Sequence, residues 1–158
     1  MGKEIERKFL LMYGTEIPIP ETSEITLIKQ AYIYADMDKH VRVRIYDYRP
    51  DTGLIGIKYT SSLVRDEFEY EIPIEDAQIM YDKSDMKIEK KRISFMIGEE
   101  HYDIDSFPNG LSYVEVEFKS LEDMKNWEIP NWFGEEITGV KEYSNIALAK
   151  KNLKFYYA

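Results

Sequence analysis

Charged and apolar residues alternate at period two along most of this chain, the period of β-strands and not of helices. In Glu4–Leu11, Glu4, Glu6 and Lys8 share one face, while Ile5, Phe9 and Leu11 share the other. The same reading marks strands at Ile25–Tyr34, Val41–Ile45, Leu54–Thr60, Val64–Ile72, Met86–Ile97, His101–Phe107 and Leu111–Lys119. Turn chemistry separates several of them: Pro50-Asp51-Thr52-Gly53, Gly98-Glu99-Glu100 and Pro108-Asn109-Gly110. The last two predict an antiparallel meander of the sixth, seventh and eighth strands. Short helices are expected over Pro73–Lys83, from Ser120 towards Trp127, where Ser120 and Asp123 have the spacing of a capping box, and over Tyr143–Asn152 with Ser144 as cap. Eight strands and three short helices make a mainly β (α+β) chain.

Composition bounds what such strands can do. The 158 residues, 44% hydrophobic and 14% aromatic, suffice for a packed core, and no linker or repeat divides them, so one domain over 1–158 is expected. Zero Cys excludes disulfides, thiolate metal sites and thiol nucleophiles. No apolar run of about 18 residues is present, so no membrane partner is expected. The start Met1–Lys8 has no apolar signal stretch, and a cytoplasmic location is expected. The formal charge of −9 argues against nucleic acid spread over the exterior. It does not argue against a small polyanion held inside.

The charged faces carry the chemistry. Lys8, Arg42, Arg44, Lys58, Arg65, Lys90 and Arg92 stand opposite apolar neighbours, as do the acidic pairs Glu4/Glu6, Glu67/Glu69, Asp103/Asp105 and Glu115/Glu117. A β-sandwich with a solvated outer face accounts for any single pair. Taken together they point elsewhere, because carboxylates two apart on one strand repel unless a cation sits between them. Oxygen-only donors suit a hard ion such as Mg²⁺ or Mn²⁺, and Arg forks and Lys ammonium groups suit phosphate oxygens. Eight strands can close into a barrel, and a charged face turned inward then makes a wet, ligand-holding tunnel.

Glu4-Ile5-Glu6-Arg7-Lys8 resembles the E-x-E-x-K signature of the CYTH domain family, the triphosphate tunnel metalloenzymes. Further motifs follow in family order: Arg42-Val43-Arg44 as R-x-R, Lys58 on the lysine strand, Arg65-Asp66-Glu67-Phe68-Glu69 as R-x-E-x-E, Lys90-Lys91-Arg92 as K-x-R, and Glu115-Val116-Glu117 as E-x-E. Tyr102-Asp103-Ile104-Asp105 is similar to the W-E-x-D strand, with Tyr for Trp and Asp for Glu. The resemblance spans nearly the whole chain. It implies an eight-stranded antiparallel closed β-barrel, the triphosphate tunnel, with the helices packed outside. Carried over by position, Glu4, Glu6, Glu115 and Glu117 are metal ligands, and the seven basic residues named above clamp phosphate. Lys8, Glu6 and Glu117 are the catalytic candidates. Glu67, Glu69, Asp103 and Asp105 are supporting acids, with Glu67 and Glu69 holding basic side chains in place.

The family hydrolyses inorganic, nucleoside or thiamine triphosphate, or cyclises ATP to cyclic AMP. Hydrolysis of inorganic triphosphate to pyrophosphate and phosphate is favoured by likeness to the bacterial triphosphatases. An adenylate cyclase and a non-catalytic polyphosphate- or nucleotide-binding module are the alternatives. Near the C-terminus the family's T-x-D-x-R-Y-x-N keeps Thr138, Tyr143 and Asn145, but Val140 and Glu142 replace its Asp and Arg. His40 and His101 are expected at the surface, outside the clamp. The stripe Ile5, Phe9, Leu11, Val41, Val43, Ile45, Phe68, Val114, Val116 and Phe118 is expected to face outward, under helices or across a homodimer interface, with Trp127 and Trp132 capping it.

Overall fold

A computed structural model of the chain describes residues 2–11, 16–60 and 64–155. Its strands are β1 (Gly2–Leu11), β2 (Glu24–Ala35), β3 (Lys39–Tyr46), β4 (Thr52–Tyr59), β5 (Val64–Pro73), β6 (Met86–Ile97), β7 (Glu100–Ser106), β8 (Ser112–Glu117) and β9 (Phe133–Glu136). Neighbours pair antiparallel in the order β5-β4-β3-β2-β6-β7-β8-β1, and β1 pairs back with β5. The eight-stranded barrel is therefore closed.

β9 was not among the expected strands. Among the described residues β5 pairs with Gly2–Ile5 of β1, and the far half of that edge is taken up elsewhere. Phe133 and Glu136 fill it opposite Leu11 and Phe9. Four residues fixed by a partner's spare edge carry no periodic signal of their own.

Register turns the alternation into two surfaces. Glu6 lies opposite Glu117, Lys8 opposite Glu115, Arg92 opposite Asp105, and Lys58 opposite both Glu67 and His40. Cross-strand partners point the same way, so the charged faces of the strands converge on the barrel interior. The other faces pack outward. Phe9, Val114, Val116 and Phe118 are buried with Phe95, Tyr102 and Ile104 beneath Trp132, Phe133 and Trp127. Helix α2 (Leu121–Asn126) borders this layer, with Ser120 Oγ accepting from Asp123 N–H at 3.0 Å.

Helix α1 (Ile74–Lys83) follows Pro73 directly and lays Ala77 and Tyr81 on Ala31 and Val43. A Cβ on Gly53 would stand 2.5 Å from that of Ala77, so α1 can lie this close to β4 only over a glycine. Phe68 is covered by none of these elements and stays exposed, beside Tyr70.

One end of the barrel interior is apolar. Tyr32, Ile88, Phe107 and Tyr113 close around Ile137 and around Leu148 and Ala149 of helix α3 (Asn145–Ala149). The expected Tyr143–Asn152 helix is shorter because a 3-10 turn, Lys141–Tyr143, precedes the Ser144 cap, and the chain leaves helical geometry by Asn152, at φ 51°. Thus α3 sits inside the barrel mouth, where a packed exterior helix was expected. Among the described residues no helix is long and apolar enough to cross a membrane.

Candidate active site: the charged barrel interior

A cavity of about 980 Å³ runs through the charged part of the barrel. From the expected phosphate clamp, Lys8, Arg42, Arg44, Lys58, Arg65 and Arg92 line it. Glu4, Glu6, Glu115 and Glu117 line it as well, together with Glu67, Glu69 and Asp103. Strands far apart in sequence thus bring these groups to one volume.

The cations are held before any ligand arrives. Lys58 Nζ lies 2.9 Å from Glu4 Oε2 and 3.7 Å from Glu6 Oε1. Arg65 Nη1 reaches Glu6 Oε1 at 3.3 Å, and Arg42 Nη2 donates to Glu67 Oε1 at 2.8 Å. Lys8 Nζ stands 3.7 Å from Glu115 Oε1 and over the Tyr113 ring at 4.4 Å. Burial works against the charge on Lys58, but Glu6 and Glu4 more than offset it and raise its pKa. Glu67 is held below the usual carboxylate range: burial opposes this, while Glu4, Arg42 and Lys58 outweigh it. The result is a set of oriented donors with little left to reorganise.

Glu115 and Glu117 behave in the opposite way. Carboxylate oxygens of Glu4, Glu6 and Glu115 lie within 4.8 Å of one another. Burial raises the pKa of Glu115, and Glu6 adds to it; burial and then Glu4 and Glu6 raise that of Glu117. Glu4 Oε2 is buried, with Lys58 at ion-pair distance but off the line of a hydrogen bond. Clustered carboxylates, with a buried oxygen lacking a hydrogen-bond donor, fit a hard divalent cation. Of the four expected ligands, Glu117 stands opposite Glu6 in the ladder but outside the close group.

No family model matches the chain. It is 34% identical over 160 residues to an inorganic triphosphatase of Acetivibrio thermocellus, covering 98% of this chain and 97% of that one. The chain belongs to the CYTH, or triphosphate tunnel metalloenzyme, family. An inorganic triphosphatase of Nitrosomonas europaea is 31% identical over 151 residues, 92% of this chain and 96% of that one. The crystal structure of the inorganic triphosphatase NE1496 superposes with a TM-score of 0.66 at 29% identity, covering 95% of this chain and 96% of that one.

Within this tunnel architecture two expected site residues sit apart from the cavity. Lys90 and Asp105 are both 0% exposed, and neither lines the open volume. Lys90 Nζ lies 3.0 Å from Asp105 Oδ2 and donates to Asn145 Oδ1 of α3 at 3.1 Å. Arg92 forks onto the same carboxylate, Nε to Oδ1 at 2.7 Å and Nη2 to Oδ2 at 3.0 Å. Burial pulls the Lys90 pKa down, whereas Arg92 and Lys90 hold Asp105 low against burial. Lys90 thus faces inward but lies sealed under α3, a placement that the strand pattern alone could not reveal.

His40 needs a correction, whereas the His101 side chain stays 41% exposed, as expected. His40, expected at the surface, is 6% exposed and lines the cavity. His101 also lines it, with Nε2 2.9 Å from Asp103 Oδ1, and that contact raises its pKa. The signal was present: His40 has the parity of Arg42 and Arg44, and His101 that of Asp103 and Asp105. Gln30 was also missed. It is buried, accepts from Arg44 Nε at 2.5 Å and donates to Tyr32 Oη at 2.6 Å.

The retained C-terminal residues have structural partners. Thr138 Oγ1 accepts from Lys8 N–H at 2.9 Å, and Asn145 meets Lys90. Val140 and Lys141 line the cavity, while Glu142 is exposed.

Proposed function

We propose that the protein hydrolyses inorganic triphosphate to pyrophosphate and phosphate, using Mg²⁺ or Mn²⁺, and that nucleoside triphosphates are secondary substrates. The observation that carries this reading is the enclosed wall where Lys8, Arg42, Arg44, Lys58, Arg65 and Arg92 face one cavity beside a carboxylate cluster. The inorganic triphosphatases of 34% and 31% identity support it.

Glu4, Glu6 and Glu115, with Glu117 adjacent, would hold the cation, which when bound supplies charge neutralisation at a phosphoryl oxygen. The basic residues bind and orient the phosphate chain in line with an attacking water. Lys8 shares a strand face with Glu4 and Glu6 and so grips the phosphate nearest the acids. Glu67 keeps Arg42 aimed, Glu69 lines the same wall, and Asp103 steadies Arg92 from 3.5 Å. Asp105 steadies Arg92 from behind the wall. A homodimer would form over the uncovered outer residues, such as Ile25, Ile33 and Phe68, and the protein works in the cytoplasm.

The test is a product assay with Mg²⁺ or Mn²⁺ and inorganic triphosphate, ATP or thiamine triphosphate, measuring phosphate and cyclic AMP. Metal-dependent phosphate release, greatest from inorganic triphosphate, is expected. Cyclic AMP without phosphate release would make the protein a cyclase, and binding without product a polyphosphate-binding module.

A further inference from the structure

We propose that His40 is a substrate-contacting residue of this tunnel, donating a ring N–H to an oxygen of a linear polyphosphate; this rests on the triphosphatase reading above. Both ring nitrogens are buried in the cavity wall, and neither has a hydrogen-bond partner among the described residues. Leaving a buried imidazole unpartnered is costly, and such groups are uncommon in folded proteins. The ring is also held in place, edge-on to Tyr32 with centroids 5.2 Å apart at 88°. Tyr32 is itself fixed by Gln30 and by packing against Leu148 and Ala149 of α3. An oriented but unsatisfied donor on the wall of a binding cavity is a group awaiting a ligand.

The surroundings decide what kind of ligand. Lys58 stands opposite His40 on β4, Arg42 and Arg44 follow it on β3, Arg65 faces it from β5, and Tyr32 packs on it from β2. Burial and those four cations hold the ring neutral, with its pKa down to about 3. A metal cation would be repelled here. An anion would be drawn in, and the neutral ring supplies one N–H donor without adding to the repulsion within the cationic wall. His40 therefore extends the clamp with a directed donor, one that a count of basic residues does not include.

Two measurements test this. Binding of sodium tripolyphosphate in EDTA, followed by calorimetry, is expected to weaken about ten-fold in His40→Ala and to recover in His40→Gln, whose amide retains an N–H. With Mg²⁺ the same loss should fall on KM, with kcat within about three-fold of wild type. Unchanged binding in His40→Ala, or equal losses in Ala and Gln, would overturn the proposal. If both variants misfold, the wild-type protein decides. It has two imidazoles, assigned with His101→Gln, and the His40 ring nitrogen signals should move on saturation with tripolyphosphate. Saturable binding with unmoved His40 signals refutes the role of His40 alone. Failure of the wild-type protein to bind tripolyphosphate at all refutes the triphosphatase reading and this inference with it.

Discussion

On one side of the barrel interior, β6 and β7 bring Lys90, Arg92 and Asp105 together, with Lys90 and Asp105 out of reach of the cavity. On the other side, β1, β3, β4 and β5 set Lys58, Arg42 and Arg65 against Glu4, Glu67 and Glu6 at 2.9, 2.8 and 3.3 Å, all lining the open volume. In sequence both walls are the same pattern of charges two residues apart. They differ because α3 lies over the first, where Asn145 accepts from Lys90, and stops short of the second. An ion pair sealed from water has only its own partners to answer its charge, while a pair on a cavity wall can exchange partners with an incoming anion or cation. One wall is locked into the fold; the other lines the open cavity.

The comparison can be broken most severely at Asp105. Asp105→Asn leaves Lys90 and Arg92 facing each other with no anion between them, and a loss of about 3–5 kcal/mol in unfolding free energy is expected by urea denaturation. A loss below about 1 kcal/mol would mean that this wall is as open to water as the other. Glu6→Gln is the counterpart on the ligand wall. Turnover of inorganic triphosphate should drop by about 10²–10³-fold while the far-UV spectrum and the cooperative unfolding transition persist. Retained turnover would remove Glu6 from the reacting region.

A pH experiment sharpens the contrast at a single residue on the ligand wall. His40 has its pKa lowered to about 3, so between that value and the ordinary histidine range the unfolded chain binds a proton that the folded chain does not. Stability contributed by the neutral ring is therefore complete above about pH 6.5 and is lost as pH falls below it. Between about pH 7.5 and about pH 5, wild type should lose about 2 kcal/mol more than His40→Gln in urea titrations. Parallel losses in the two proteins would place the imidazole in water.

The barrel was legible because a period of two is a property of neighbouring residues. Glu4, Glu6 and Lys8 declare one face of β1 without any knowledge of its partners. Family likeness then supplied closure, which no local pattern encodes. What escaped the sequence depends on contacts distant along the chain. β9 is placed by its pairing with Phe9 and Leu11 of β1, more than 120 residues earlier in the chain. The burial of Lys90 depends on α3, 55 residues onward through its contact at Asn145. His40 differs: a histidine at the start of a strand carries little signal alone, and only its parity with Arg42 and Arg44 ties it to the interior.

The smallest effect is expected one residue from Glu6 on the opposite face of β1. Arg7 forks onto Glu136 of β9, Nε to Oε2 at 2.8 Å and Nη2 to Oε1 at 2.6 Å, outside the barrel. The geometry is as good as that of Arg92 on Asp105, but the Glu136 side chain is 38% exposed, and water screens the pair. Glu136→Gln should therefore change unfolding free energy by less than about 1 kcal/mol. Thr138 makes the variant informative beyond stability, because its hydroxyl donates to Glu136 Oε2 and accepts from the Lys8 amide. If Lys8 is positioned by its own strand, turnover will hold when Glu136 is neutralised. A fall in turnover at unchanged stability would show that β9 tunes the ligand wall from outside, and the separation of the two faces of β1 would fail at Lys8.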